Sequence, residues 1–569
     1  MPLYSHRLTT LVKIVYTPRQ SEGFMLLFAL ILAGCEKPAE DAPAPAGLFV
    51  LQSPQGGEFL DAGEQPVSGK AVNLTDVQVN GVAADVDAGT FDARIPLERG
   101  VNVVEGSGVD STGHVIFDRN GVLAGDYNDD EGAVEDALLL RVNDGGLRKI
   151  GEIGADMLES QTINDALTAI NPVYSDSYAW DYVIVAADVE SVSYDTPEFE
   201  FTPRDGALGL EVTLPNLYVD IYAYGEAFGL DFDSDVAMWA SAAVLDADLY
   251  ISARNGRIAV EIGEVTVELK DFGYDTSLLP GDVESYILVE TIRDTITEML
   301  VEQVNEMVPP LLDETLSGLD PSFSTELMGL KVDLAFEFAA VDIDDDGVVL
   351  NLDMDVVIPS TGDHAGPGYL GADLGTPDLD THADVSGAVS DNLLNRMLYE
   401  AWAGGLLDIR LSTDDGSLSA LMLAPLKATE GTITVSAALP PVIVEREGEL
   451  QAQMGELIVN IDTPGGALGD HLQVAVNAFV PVDVLAEEGE LSLKLGTPSV
   501  VLMVRASTMG ATDEEMTRLV EDMLPIDMLF SLLGDFSFPL PALYGLEIDE
   551  GTASRDDSGV YTGLEVSLK

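Results

Sequence analysis

Between residues 48 and 125 apolar and polar side chains alternate in short runs, as in Val77-Gln78-Val79, Phe91-Asp92-Ala93-Arg94-Ile95 and Val101-Asn102-Val103. Asn80-Gly81, Ala88-Gly89 and Arg99-Gly100 punctuate these runs at roughly ten-residue intervals, the spacing of short strands stacked in a sandwich. The acidic stretch Asp126–Gly132 (DYNDDEG) reads as a linker, and beyond it the period changes. Leu147, Ile150, Ile153, Met157 and Leu158 recur every three or four positions, which predicts a helix over 144–160. Leu208, Leu210, Val212 and Leu214 then alternate, and after Pro215-Asn216 so do Leu217, Val219 and Ile221. Asn255-Gly256 lies between the alternating sets Leu249/Ile251/Ala253 and Ile258/Val260/Ile262, which predicts a hairpin with a type I′ turn.

A second helical stripe, over 283–308, carries Ile292, Ile296, Met299, Leu300, Val304 and Met307. A hairpin follows, with Val332, Leu334, Phe336 and Phe338 in one arm and Leu350, Leu352, Met354 and Val356 in the other. After the Gly/Pro-rich stretch 361–377, the cycle starts again. Val389, Leu393, Met397 and Ala401 predict a helix that stops at Gly404-Gly405. Strands are expected over 406–505 and a last helix over 513–533, with Met516, Leu519, Val520 and Met523 on its stripe. Strands near 542–567 close the chain. Helix and strand blocks therefore occur twice over about 430 residues, a duplicated architecture.

Charge narrows the partners. The 569 residues include 26 Lys+Arg against 100 Asp+Glu, a net charge of −74, which excludes nucleic acid as a partner. It also disfavours electrostatic capture of anionic headgroups. With 46% hydrophobic residues the chain can still bury large cores, and the acidity belongs on surfaces and turns. The single cysteine excludes a disulfide framework and Cys-cluster metal sites. Its position is informative. Arg7, Lys13 and Arg19 precede the apolar run Phe24–Ala33, which is too short to span a bilayer and ends in Leu32-Ala33-Gly34-Cys35. This string resembles the signal of bacterial lipoproteins, which implies cleavage before Cys35 and acylation of its thiol and new amine. An ordinary signal peptide with an incidental cysteine is the alternative. Glu36 in place of Asp implies, by the same resemblance, outer-membrane sorting on the periplasmic or cell-surface side. Glu36–Gly47 (EKPAEDAPAPAG) is a semi-extended tether.

Two further resemblances organise the rest. The string from Val67 to His114 is similar to bacterial immunoglobulin-like modules, used as spacers or weak binding units. The strings RVNDGGLRKIGEIGADML (141–158), NPVYSDSYAW (171–180), VSDNLLNRMLYEAWAGGLLDIRL (389–411) and FPLPALYGLEIDEGTASRDDSGVYTGLEVSL (538–568) lie in order along the chain. With the duplication, they resemble the family of bactericidal/permeability-increasing protein, lipopolysaccharide-binding protein and cholesteryl ester transfer protein. That family implies an α+β fold of two elongated antiparallel β-barrels, each wrapping a long helix and joined by a central sheet. Here an N-terminal all-β immunoglobulin-like sandwich would precede it. The expected segments are a signal peptide (1–34), tether (35–47), sandwich (48–125), linker (126–132) and two barrels (133–365 and 366–569).

The resemblance implies acyl chains held in apolar grooves. The residues expected to line them are Leu147, Ile150, Ile153, Ile292, Ile296, Met299, Leu300, Leu393 and Met397. The same side chains would also serve a plain core. Two features depart from the family. The disulfide of its animal members cannot form, and among many acids Arg141, Arg148, Lys149, Arg204, Arg254 and Arg257 make no basic tip. Asp342, Asp344 and Asp346, with Asp353 in twelfth place, fit the opening of a calcium loop, although a DG hairpin turn explains the same residues. No other cofactor is expected. His6, His114, His364, His382 and His471 form no metal-spaced pair, and neither a nucleophile elbow nor a phosphate loop occurs, so no enzymatic activity is expected. The sequence thus reads as a lipid-anchored protein, tied to the membrane through Cys35, that binds and could shuttle lipids. A surface adhesion or structural lipoprotein with filled barrels is the alternative.

Overall fold

The computed structural model describes residues 47–157, 171–178, 183–276, 282–317, 322–358, 362–510, 536–539 and 548–568, apart from positions 228, 328–329, 363, 374, 378, 406, 488–489 and 557–558. Cys35, the signal and tether residues before 47, and the helix expected at 513–533 lie outside these residues. From Gly47 to Lys569 the chain forms one compact unit.

The first strands make two facing sheets, one of four and one of five strands, between Leu48 and Ala124. The turn signals act as expected. Asn80-Gly81 and Ala88-Gly89 take positive φ and close tight hairpins. The inward residues, among them Phe49, Val67, Val79, Phe91, Ile95 and Val122, form a core of their own, with Phe49 stacked on Phe91 at 4.8 Å.

Two eight-stranded antiparallel sheets follow in the chain, linked by a seven-stranded one. The seven-stranded sheet runs Phe323–Leu327, Leu330–Asp344, Gly347–Val357, Val134–Asn143, Val385–Ser390, Tyr561–Leu568, Ile548–Arg555. It takes strands from both halves of the chain, and every pairing in it is antiparallel. The first eight-stranded sheet is built on the hairpin of Ala207–Ala227 with Leu230–Arg254. Its expected interruption at Pro215-Asn216 is instead a change of phase inside one strand. Leu208, Leu210, Val212 and Leu214 point inward before it, and Leu217, Val219 and Ile221 after it. The partner strand shifts with it, from Ala243, Leu245 and Leu249 to Ala240, Met238 and Val236, so the ladder keeps its register. Asn216 supports the step by adopting φ +53°, and its side-chain amide donates to Asp195. Asn255 and Gly256 form the two-residue turn after Arg254, both with positive φ.

Three helices are described: α1 (Asp144–Met157), α2 (Asp282–Ser317) and α3 (Asp391–Ala403). α3 starts two residues later than its apolar spacing suggested, because Val389 belongs to the strand Val385–Ser390. Ser390 caps it, accepting from the Leu393 N–H, and the Gly404 N–H closes it on the Glu400 carbonyl. At 13 residues α3 is not the long helix expected of the second barrel.

The segment 126–132 is not a free linker. Tyr127–Asn128 pairs with Tyr369–Leu370, and the Arg99 guanidinium of the sandwich donates to the Gly371 carbonyl at 2.8 Å. Val101 and Leu123 pack on Leu370, Leu439, Val442 and Val444. The sandwich is therefore docked on the second half of the chain, where a projecting spacer was expected.

Candidate lipid-binding interior

α2 owes its length to one stripe. Ile292, Ile296, Met299, Leu300, Val304, Val308, Leu311, Leu312 and Leu316 are all buried, at helical spacing, while Glu298, Glu302, Glu306, Asp313 and Glu314 face solvent. The helix expected over 283–308 runs on through Pro309-Pro310 to Ser317. Each proline removes one hydrogen bond, freeing the carbonyls of Asn305 and Glu306, and both residues lie on the exposed side where water can reach them. Beyond the prolines the stripe resumes in phase, and that burial keeps the helix going.

α1 reaches α2 through glycines. A Cβ on Gly151 would stand 2.6 Å from the Phe199 carbonyl oxygen, and one on Gly154 would stand 3.1 Å from Leu311. Only glycine allows α1 this close to the strand Glu198–Arg204 and to α2. Leu147 and Ile150 are buried in the same core as the α2 stripe, whereas Ile153 is half-buried. The structure thus gathers Leu147, Ile150, Ile292, Ile296, Met299 and Leu300 into the interior of the N-terminal half.

Leu393 and Met397 lie elsewhere, on α3 against the seven-stranded sheet. Their helix is fixed by buried polar groups that apolar spacing does not reveal. Asp391 is fully buried and takes two bonds from Arg555, at 2.9 and 3.1 Å. Burial pushes its carboxyl up, against the opposing pull of Arg555. The Asn395 amide donates to the Leu370 and Ile443 carbonyls, and its oxygen accepts from the Ile443 N–H at 2.7 Å. Arg396 pairs with Glu400 at 2.9 Å, and the Trp402 indole donates to the Ala437 carbonyl at 2.7 Å.

α2 is held differently. Arg293 pairs with Glu290 and Asp294, Thr295 donates to the Thr291 carbonyl, and Thr315 donates to the Leu311 carbonyl, all within the helix. Its seam with the sheet is lined by Leu217, Val219, Met238, Ala240, Leu269, Phe272 and Ile296, with Arg293 and Trp239 at the lip. The open space there is about 10 Å³, room for a single water at most. Met299, Leu300 and Phe336 are 4%, 2% and 6% exposed and belong to one continuous apolar core. A larger cavity of about 290 Å³ lies at the junction of the sandwich and the C-terminal sheet, walled by Pro96, Val103, Phe479 and Val501.

The acidic run at 342–347 is a hairpin turn joining Leu330–Asp344 to Gly347–Val357. Asp344 has no free oxygen for an ion. Arg141 grips both carboxylate oxygens at 2.7 Å and holds the group below the usual carboxylate range, with help from the Asp346 and Gly347 N–H groups. Asp353 sits opposite Glu337, well along the ladder from Asp342, and its oxygen accepts from the Asp136 N–H. Asp342, Asp344, Asp346 and Asp353 therefore do not converge, and among the described residues no group of three His, Cys, Asp or Glu side chains is placed to hold a metal.

Comparison with known proteins adds two structural likenesses. A crystal structure of lipopolysaccharide binding protein is 15% identical, with a TM-score of 0.43 over 77% of this chain and 99% of that one. P47 of Clostridium botulinum E1 is 10% identical, with a TM-score of 0.28 over 77% of this chain and 100% of that one. No family model and no curated protein matches the sequence.

Proposed function

We propose that the protein binds acyl lipids between α2 and its sheet, as a binding protein and not an enzyme. The observation that carries this reading is the contrast between the two halves. α3 is tied down by buried ion pairs and hydrogen bonds, whereas the seam under α2 is apolar on both walls. Parting that seam breaks no polar bond among those named above, and an inserted chain replaces the lost contacts at about 0.8 kcal/mol per methylene. The site residues are then Leu147, Ile150, Ile292, Ile296, Met299 and Leu300, while Leu393 and Met397 are core. Acylation of Cys35, as its signal string implies, would hold the protein at the outer membrane.

The burial of Met299, Leu300 and Phe336 in one core favours a second reading, a scaffold with no lipid ligand. Native mass spectrometry of the full chain carrying Cys35→Ser separates the two, because any lipid that remains is non-covalent. Phospholipid is expected to co-purify or to be taken up from vesicles, and Ile296→Trp should reduce the bound fraction by filling the seam. Folded protein that stays empty with excess phospholipid would establish the scaffold.

A further inference from the structure

The solvent face of the first eight-stranded sheet carries aromatic rings among carboxylates. Tyr218 and Trp239 stand directly opposite each other on neighbouring strands and are 38% and 40% exposed. Directly opposite residues place their Cβ atoms about 5 Å apart, which sets the two exposed side chains side by side on this face. Small residues border the pair. Ser193 pairs with Tyr218, and Gly273 pairs with Trp239, where a Cβ would stand 2.6 Å from the indole nitrogen. Two residues along, on the same face, Asp220 flanks the pair, and a second aromatic pair follows with Tyr222 and Tyr224 stacked at 5.7 Å. Tyr222 donates to Asp233 at 3.2 Å, and its neighbour across the ladder is Asp188. One oxygen of Asp188 is buried and has no hydrogen-bond partner. The strands that build this face, 183–193, 217–227, 230–240 and 273–276, contain no Lys or Arg.

We propose that this face docks a basic polypeptide segment, whose Lys or Arg side chains lie over Tyr218, Trp239 and Tyr222 and bond Asp188 and Asp220. Aromatic faces attract cations, and the surrounding carboxylates supply matching charge. The face meets the seam under α2 at Trp239, while Leu217, Val219, Met238 and Ala240 of the same strands point the other way, into that seam.

Because the whole chain is acidic, the test must distinguish this face from general attraction. The probe is an oligolysine of about ten residues, titrated into the full chain at about 0.15 M salt. The double variant Tyr218→Ser/Trp239→Ser changes no charge and is expected to bind about tenfold more weakly. Tyr218→Phe/Trp239→Phe keeps both rings and should retain the affinity, which separates lost stacking from misfolding. Asp345→Asn/Asp346→Asn removes two charges at a distant turn and should leave binding within about twofold. Equal affinity of the serine variant and the wild type would overturn the proposal. So would a neutral oligosaccharide that binds this face when oligolysine does not.

Discussion

Asp353 shows how a single carboxylate in so acidic a chain acts through its surroundings. Burial, and then the charges of Asp136, Glu135 and Glu337, hold its carboxyl above the usual carboxylate range, while the Asp136 N–H opposes them. A group with a raised folded pKa binds its proton more tightly in the native state. Its stabilisation is complete below the unfolded pKa and is lost as pH rises through the folded one. At neutral pH the ionised side chain therefore lowers stability. Asp353→Asn removes the charge and keeps an acceptor for the Asp136 N–H, 3.0 Å away. The variant is expected to melt above the wild type at about pH 7.5 and to lose that advantage near pH 3, where Asp353 is protonated. Circular dichroism melts at the two pH values check it, and an unchanged Tm at the higher pH would show that the charge is already compensated. Asp344 has the opposite sign, because Arg141 holds its pKa down and its stabilisation disappears as the pH falls. In the sequence both belonged to one pattern of calcium-like spacing. The register that separates them belongs to the hairpin of Leu330–Asp344 with Gly347–Val357, but the arginine that occupies one of them comes from a strand 203 residues away, outside the reach of local spacing.

α2 carries the lesson for whole elements. Its stripe from Ile292 to Met307 was readable from period alone, as were the Asn255-Gly256 turn and the Gly404-Gly405 stop. Its continuation was not, because a proline pair is a strong local stop and only tertiary burial of Leu311, Leu312 and Leu316 overrides it. The prolines therefore cost helical stability without supplying core contacts, most clearly at the exposed Pro310. Pro310→Ala restores a donor for the Glu306 carbonyl and is expected to stabilise the protein by about 1–3 kcal/mol. Urea unfolding followed by far-ultraviolet circular dichroism measures the change in midpoint. A destabilised variant would mean that the ring packs against the fold more closely than its exposure implies. If the seam under α2 opens for lipid, a helix weakened at this point is also the easier one to displace. Pro310→Ala should then slow phospholipid uptake from vesicles while raising stability.

The way the sandwich joins the rest of the molecule could not be read from the chain, because the residues that make the joint look like ordinary surface charges. Glu456 sits at an irregularity in the strand Glu449–Asp462 with φ +47°, which turns its side chain into the interface. There it accepts from the Gly121 N–H at 2.8 Å and pairs with Arg505, which also meets Asp118 at 3.5 Å. Gln453 accepts from the Val101 N–H at 2.8 Å, and Arg446 pairs with Glu98 at 2.5 Å. Four sandwich residues, Glu98, Val101, Asp118 and Gly121, thus bond to buried or half-buried groups of the strands 442–507, around the apolar contact of Val101 and Leu123. A tethered spacer would melt on its own. This joint predicts instead that the sandwich does not unfold before the strands it rests on, so calorimetry should show no separate early transition. Glu456→Ala removes the acceptor that serves both Gly121 and Arg505, leaving a buried N–H unsatisfied and Arg505 with only its longer contact to Asp118, at a cost of about 1–3 kcal/mol. Much of that loss falls on the interface, so the variant should show two transitions where the wild type shows a coupled one. Proteases should also gain access at 126–132, where the strand pair of Tyr127–Asn128 with Tyr369–Leu370 otherwise protects the chain. A wild-type sandwich that melts first, or is released intact by light proteolysis, would restore the spacer reading. It would also remove the reason to treat residues 47–569 as one folding unit.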